Sequence, residues 1–175
     1  MFKINTAKIS SNLETFEAIA EIAEKLENLE PCYTQIGEYA LVRVDDSFKN
    51  ETDAYGIPFK PLNPEYRDFK LAKLKGIDKT LQSKGNLRSR FIYVVSDDGV
   101  EVGTNVIYAA VHQFGATIRP KKAEALVFRV GNPPRVVKAR SVTIPARPVL
   151  PTDGLPADYE ADVQAIFDDY IGEGL

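Results

Sequence analysis

The only histidine of this 175-residue chain, His112, is the first residue to consider for chemistry. A histidine acts as a general base when a nucleophile and an orienting acid stand beside it. No serine or cysteine forms a recognisable nucleophile motif with His112. Its position shortly before Gly115, a residue typical of helix ends, favours a capping or packing role. A hydrolase that uses His112 is therefore the least favoured of three hypotheses for the function of this chain.

Carboxylates are the second possible source of chemistry. Adjacent acids occur at three places: Asp45 with Asp46, Asp97 with Asp98, and Asp168 with Asp169. Neighbouring acids on a helix point apart, whereas a catalytic pair must converge on one site. The chain also lacks a Walker loop, a dinucleotide fingerprint, a zinc-protease helix, a nucleophile elbow and a kinase signature. We predict a protein that is not an enzyme and needs no cofactor.

Metal and membrane classes are also not expected. Cys32 is the single cysteine, so a multi-thiolate metal site or a disulfide framework has too few ligands, and we predict no structural metal. No apolar run reaches the length of a membrane span, and the first residues lack the apolar centre of a secretory signal. We expect a soluble protein, made in a cytoplasm, with no membrane partner.

Charge is segregated along the chain although the net charge is only −3. Residues 119–147 contain eight basic residues and one acid, and residues 153–175 contain seven acids and no lysine or arginine. A third block, residues 14–30, has six glutamates and one lysine. Such segregation predicts surfaces of opposite sign on the folded protein.

The basic residues of 119–147 admit two interpretations. They could contact phosphate, with Phe128 nearby, which is the basis for a nucleic-acid-binding accessory protein as the alternative function. The segment lacks clustered aromatic residues for base stacking, so a solvated face or a protein interface is favoured. Salt-sensitive affinity for duplex DNA would distinguish the two.

A short central helix must position His112. Asn105 can cap its start, and Gly115 can end it in a left-handed conformation. Apolar residues at steps of three and four lie between these ends, which predicts one stripe facing a core; they are Ile107, Ala110, Val111 and Phe114.

Four further helices are predicted. Ser11 and Glu14 fit a capping box for a helix over 11–29, in which an apolar side is buried and an acidic row faces water. The buried side would comprise Leu13, Phe16, Ile19, Ala20, Ile22, Ala23, Leu26 and Leu29. Pro31 suits the start of a second helix, and Asn63 with Pro64 the start of a third over 64–75. A C-terminal helix has an apolar side of Tyr159, Val163, Ile166, Phe167 and Tyr170.

Strands are predicted in the second half of the chain. Residues 91–96 and 100–104 flank a turn and form a hairpin, and residues 126–130 and 136–144 alternate apolar with basic side chains. We predict one α+β domain over 1–175, with an antiparallel sheet of about four or five strands. Its parts are N-terminal helices (1–50), an ordered loop (51–63), a helix, hairpin, central helix and sheet (64–150), and an acidic C-terminal helix (151–175).

Two sequence blocks resemble the phage virion morphogenesis family. The first is YAAVHQFGATIRPKK at residues 108–122, followed by ALVF at 125–128, and the second is VTIPARP at 142–148. The resemblance extends over roughly 30–150, although Lys84 stands where the family tends to have threonine or serine. The family motif residues are Asn105, Tyr108, His112, Gln113, Phe114, Gly115, Pro120, Pro145, Arg147 and Pro148.

The resemblance implies a structural protein of a tailed bacteriophage or prophage. Such a protein completes the tail or joins the tail to the head as a ring-forming homo-oligomer, with tail or head-connector proteins as partners. Its place would be the head-tail or tail region of the virion, near the DNA path.

The charge pattern suggests how subunits would meet. The basic sheet face of one copy would contact the acidic C-terminal helix or the acidic first helix of the next, in a head-to-tail manner. The expected interface residues are Ile118, Arg119, Lys121, Lys122, Arg140, Arg147, Val149, Asp158 and Asp162.

Overall fold

Helix α2, Glu30–Asn50, packs against a strand hairpin, the C-terminal helix and the short turn that precedes the hairpin. The computed structural model describes residues 6–74, 78–83 and 85–172, with side chains described from residue 15 onward. Pro31 stands in the first turn of α2, as predicted, because proline tolerates the unbonded N–H position there. A strand hairpin crosses one side of α2, and the C-terminal helix packs on another.

The remaining helices are α1 (Thr6–Glu27), α3 (Pro64–Lys73), α4 (Ala109–Phe114) and α5 (Ala157–Gly172). Helix α3 begins as predicted, with the Asn63 side chain accepting a 3.2 Å hydrogen bond from the Tyr66 N–H. The predicted cap of α1 was wrong, because Ser11 lies inside a helix that starts at Thr6. The side chains of Ser11, Leu13 and Glu14 lie outside the described ones.

The predicted orientation of α1 was also wrong. Ile22 and Leu29 are half-buried, but Phe16, Ile19 and Leu26 are 69%, 57% and 50% exposed. Helix α1 packs on α5 along the line of Ile22 and the Lys25 stem. Only one edge of the apolar stripe of α1 therefore contacts the rest of the subunit, and the other residues of the stripe face solvent.

Six strands form three separate two-stranded antiparallel sheets within the described ranges. Strands β1 (Phe91–Ser96) and β2 (Gly99–Thr104) make the predicted hairpin. Strands β4 (Leu126–Val130) and β5 (Arg135–Ala139) make a second, and β3 (Ala116–Ile118) pairs with β6 (Val142–Ile144).

The α+β class is confirmed, but the expected single sheet of four or five strands is not formed. The pairing of β3 with β6 contains only three residues on each strand. Pro120 follows β3 by one residue and Pro145 follows β6 directly, and proline has no N–H to continue a ladder. The strands therefore end before they can join a wider sheet.

The core lies where α2 meets the loop after it and the segment before α5. Its buried side chains are Val44, Phe48, Phe59, Leu87 and Val149. Phe59 thus anchors the loop 51–63 in the core, and Tyr55 ties the loop to residues 152–154 through three hydrogen bonds of its hydroxyl group. A membrane-crossing helix does not occur in the described part of the chain.

Close packing also explains one glycine of α2. Gly37 lies directly under the ring of Tyr93, so that a Cβ atom at this position would stand 2.4 Å from a ring carbon. Glycine in a helix interior costs about 1 kcal/mol in propensity. The close approach of the β1–β2 hairpin to α2 offsets that cost.

Candidate functional site

The two sequence blocks around α4 and around residues 145–150 bind each other directly. The backbone N–H of Arg147 donates a 2.7 Å hydrogen bond to the carbonyl of His112. The side-chain amide of Gln113 donates to the Leu150 carbonyl at 2.6 Å. Its oxygen accepts from the N–H groups of Val149 and Leu150, at 3.1 and 3.3 Å. We call this set of contacts the α4 clasp.

Glycine is required at position 115, where the end of α4 contacts the backbone of residues 144–146. It ends α4 as predicted, at φ +71°, a conformation that side-chain-bearing residues rarely adopt. A Cβ atom there would lie 2.8 Å from the Ala146 nitrogen and 3.1 Å from the Ile144 oxygen. Backbone atoms cannot move aside as the end of a flexible side chain can, so only glycine fits this contact.

Arg147 holds the clasp to the loop 51–63. Its side chain is buried, and its guanidinium donates to the carbonyls of Lys60 and Pro61 at 2.8 and 3.0 Å. Burial lowers the pKa of this arginine. Val149, two residues later, packs in the core beside Phe48 and Phe59. Both residues were expected at a subunit interface, but their contacts lie within the subunit, and we remove them from the proposed interface.

His112 stands beside the clasp, and its Nδ1 atom is buried without a hydrogen-bond partner in the described residues. Burial lowers the pKa of His112, and the nearby positive charge of Arg147 lowers it further. Both effects favour the neutral form of the imidazole. Its ring meets the Tyr108 ring edge-on, with centroids 6.0 Å apart.

A cavity of about 990 Å³ opens next to His112, between α3, the β4–β5 hairpin and β6. Among the described residues that line it, the only carboxylate is that of Glu65, which forms an ion pair with Arg135. Within the described ranges, no three His, Cys, Asp or Glu side chains gather in a way that could hold a metal. The contacts of this region order the backbone around α4.

The outer side of α4 presents apolar groups to solvent. Ile107 is 93% exposed and Phe114 is 71% exposed, and Tyr108 and Ile118 are partly exposed. The prediction of a core-facing stripe was wrong for Ile107, Ala110 and Phe114, which are exposed, whereas Val111 is half-buried. The helix begins at Ala109 instead of after Asn105, so Ile107 precedes it, and a six-residue helix turns only one short face to the core. Val106, which precedes the helix, and Ala109, its first residue, pack against that core.

The other predicted interface residues fall into two groups. The side chains of Arg119, Lys121, Lys122 and Arg140 are exposed, and none has an ion pair among the described residues. Asp158 and Asp162 are instead used inside the subunit: Asp158 pairs with Arg43, and Asp162 accepts the Tyr39 hydroxyl. The hydrogen bond from Arg43 lowers the pKa of Asp158.

The remaining motif residues mark the ends of elements. Asn105 is exposed in the turn before α4 and does not cap it. Pro120, Pro145 and Pro148 are half-buried in the segments that follow β3 and β6. The sequence reasoning missed the outward-facing residues of α1 and of the β4–β5 hairpin, whose exposure depends on the tertiary packing.

Comparison with known proteins identifies a family for this chain. Residues 12–172 match the phage virion morphogenesis family, and this match covers nearly the whole chain. No curated protein and no solved structure matches the chain. The α4 clasp thus lies within the matched residues, as do the exposed apolar groups of α4.

Proposed function

We propose that this chain, which belongs to the phage virion morphogenesis family, completes the tail of a tailed phage or prophage or joins the tail to the head, as a ring of identical subunits. The family gives it a role in building a phage virion. The observation that carries the finer proposal is the apolar outer side of α4, fixed in place by the α4 clasp. Subunit association and contact with other tail or head proteins would both bury it.

The size of these apolar groups supports association. Burying one large aliphatic or aromatic side chain contributes about 1.5–3 kcal/mol, and Ile107 and Phe114 are both largely exposed in the single subunit. A stable interface needs roughly 1,000 Å² or more of buried surface, so these residues would act as anchors within a larger contact. Large exposed side chains on a rigid element are the pattern expected of such anchors.

The assembly role can be tested in the phage that encodes the chain. A phage lacking the gene should produce filled heads and tails that remain separate or have unfinished ends in electron micrographs. Adding the purified protein to that extract should restore joined particles. Normal infectious particles in the absence of the protein would contradict the proposal.

The α4 surface can be tested in the same extract. Phe114→Ser and Ile107→Ser should restore few particles, whereas Val42→Ser, at a residue on α2 that is 56% exposed, should restore them like the unchanged protein. All three variants should keep the unfolding midpoint of the unchanged protein, because exposed side chains contribute little to stability. Full restoration by the α4 variants would exclude this surface from assembly.

Self-association can be measured by light scattering at low and high salt. We expect a mass above that of one subunit at low salt and at high protein concentration. A protein that is monomeric under both conditions would contradict the ring.

Nucleic-acid binding remains the second candidate, supported by the exposed basic residues without ion pairs near the sheets. Affinity for duplex DNA should then fall steeply with salt, because each phosphate contact releases a counterion. Absence of such binding at low salt would remove this candidate.

A further inference from the structure

Helix α1 carries an apolar face that nothing in the described part of the subunit covers. Phe16, Ile19, Ala23 and Leu26 follow one another at steps of three and four, and all are exposed. Residues at these spacings lie on one side of a helix. The opposite side of α1 packs on α5. We call this exposed side the α1 outer face.

Acidic residues accompany the α1 outer face. Glu17, Glu24 and Glu27 are exposed, and none of them forms an ion pair in the described ranges. By contrast, Glu21 pairs with Lys25 on the side nearer to α5. A partner for this face should therefore offer apolar groups together with positive charge.

The β4–β5 hairpin has a face with those properties. Side chains alternate between its two sides, and the cross-strand pairs Val127 with Lys138 and Val136 with Arg129 share one side. Both valines are well exposed, at 63% and 59%, and Arg129 and Lys138 are exposed without ion pairs among the described residues. We call this side the hairpin outer face.

The inner side of the same hairpin is already used. Phe128, Val130 and Val137 line the cavity beside α3, Arg129 also contributes to its lining, and Arg135 pairs with Glu65 of α3. The hairpin is thus anchored through one side, which leaves the hairpin outer face fixed in position and free to bind.

We propose that the α1 outer face of one copy binds the hairpin outer face of the next copy, and that this contact links the subunits of the proposed oligomer. The inference rests on the proposed function and names the surfaces that join. Valines would pack against the apolar stripe of α1, while Arg129 and Lys138 would meet Glu24 and Glu27. The occupant is a second copy because both complementary surfaces occur on this chain.

The hairpin outer face is shorter than the α1 outer face. From Phe16 to Leu26 the helix rises by about 15 Å, at 1.5 Å per residue. On β4 the hairpin outer face extends from Val127 to Arg129, about 7 Å at 3.3–3.4 Å per residue, so it would cover about half of the apolar stripe of α1. Because the two faces differ, each copy keeps one free face after pairing, and such heterologous contacts continue until a ring closes or a filament grows.

Mixing two damaged copies tests this arrangement. One copy carries Phe16→Ser and Leu26→Ser, and the other carries Val127→Ser and Val136→Ser. Alone, each should stay monomeric in light scattering, with its dissociation constant raised by about ten-fold or more. Mixed, they retain one working pair of faces and should give a 1:1 dimer and nothing larger.

Charge reversal provides an independent test. Glu24→Lys with Glu27→Lys should weaken association, as should Arg129→Glu with Lys138→Glu. A chain carrying all four changes should associate within about three-fold of the unchanged protein, because the sign of each face is reversed together. Lys60→Glu with Arg90→Glu serves as a control pair of exposed bases outside both faces and outside the expected interface, and it should leave association unchanged.

Several outcomes would overturn the proposal. If the α1 variant is monomeric but the hairpin variant associates normally, α1 pairs with another surface. If no damaged copy alters the mass of the oligomer, the contact lies elsewhere while the proposed function stands. If the unchanged protein is itself monomeric, the ring fails, and loss of DNA affinity in Arg129→Glu with Lys138→Glu would assign the hairpin to nucleic acid.

Discussion

Replacing Gln113 with alanine is the most direct test of the α4 clasp as the structural centre of the site. The substitution removes one donor and one acceptor that together serve three hydrogen bonds with residues 149–150. The Val149 N–H belongs to a core residue that is only 6% exposed. Water can therefore replace the lost side chain only in part.

The expected loss follows from these contacts. A hydrogen bond contributes about 0.5–1.5 kcal/mol net, and a buried group left without a partner costs about 1–3 kcal/mol. The contact with Leu150 N–H is long, at 3.3 Å, so we assign most of the loss to the other two. Alanine regains a few tenths of a kcal/mol in helix propensity. Gln113→Ala should therefore lower the free energy of unfolding by about 2–3 kcal/mol.

Urea unfolding monitored by circular dichroism gives this loss, with Gln164→Ala as the matched control. Gln164 lies on α5 and makes one exposed side-chain bond, to Asp168, so its removal should cost about 0.5 kcal/mol or less. Hydrogen exchange of the amides at 149 and 150 should accelerate in Gln113→Ala only. Equal, small losses in the two variants with unchanged exchange would refute the clasp as a source of stability.

Three further predictions concern the same framework. Gly115→Ala should cost about 3 kcal/mol or more in urea unfolding, because of its positive φ and its contact with backbone. The pKa of Asp45 is lowered to about 2, chiefly by Arg88. Its stabilisation is present above its ordinary pKa of 3.8 and disappears as pH falls toward 2, so Asp45→Asn should cost about 1 kcal/mol at pH 7 after solvent screening, and nothing near pH 2. The pKa of His112 lies below its ordinary 6.5, so the unfolded chain takes up a proton first, and the unchanged protein should lose stability from pH 7 to pH 5 more steeply than His112→Gln.

Elements with their own start and stop signals could be predicted from the sequence. Pro31 and the Asn63–Pro64 pair locate the starts of α2 and α3, and the turn after Ser96 locates the first hairpin. These signals act through neighbouring residues, which the sequence displays directly. The pairing of β3 with β6 joins segments 26 residues apart, and next to it the backbone of Gly115 meets that of Ala146. Local sequence patterns contain no information on such contacts between distant segments.

The orientation of apolar faces could not be predicted for a different reason. A stripe such as that of α1 has the same residue types whether its partner is in the same subunit or in the next one. The sequence therefore identifies an apolar face without saying what covers it. The same holds for the partners of charged residues. The sequence predicts that Asp158 and Asp162 lie on a free acidic surface, but in the structure they bind Arg43 and Tyr39 of α2.

Helix α4 shows how the motif can be structural and functional at once. The polar group of Gln113 is bound to residues 149–150, while the next side chain, Phe114, faces solvent. In a helix of six residues these two sides cannot move independently. The clasp thus fixes the direction in which Phe114 is presented. A change at Gln113 would disturb both folding and assembly, whereas a change at Phe114 would act on assembly alone, because Phe114 contributes little to the core.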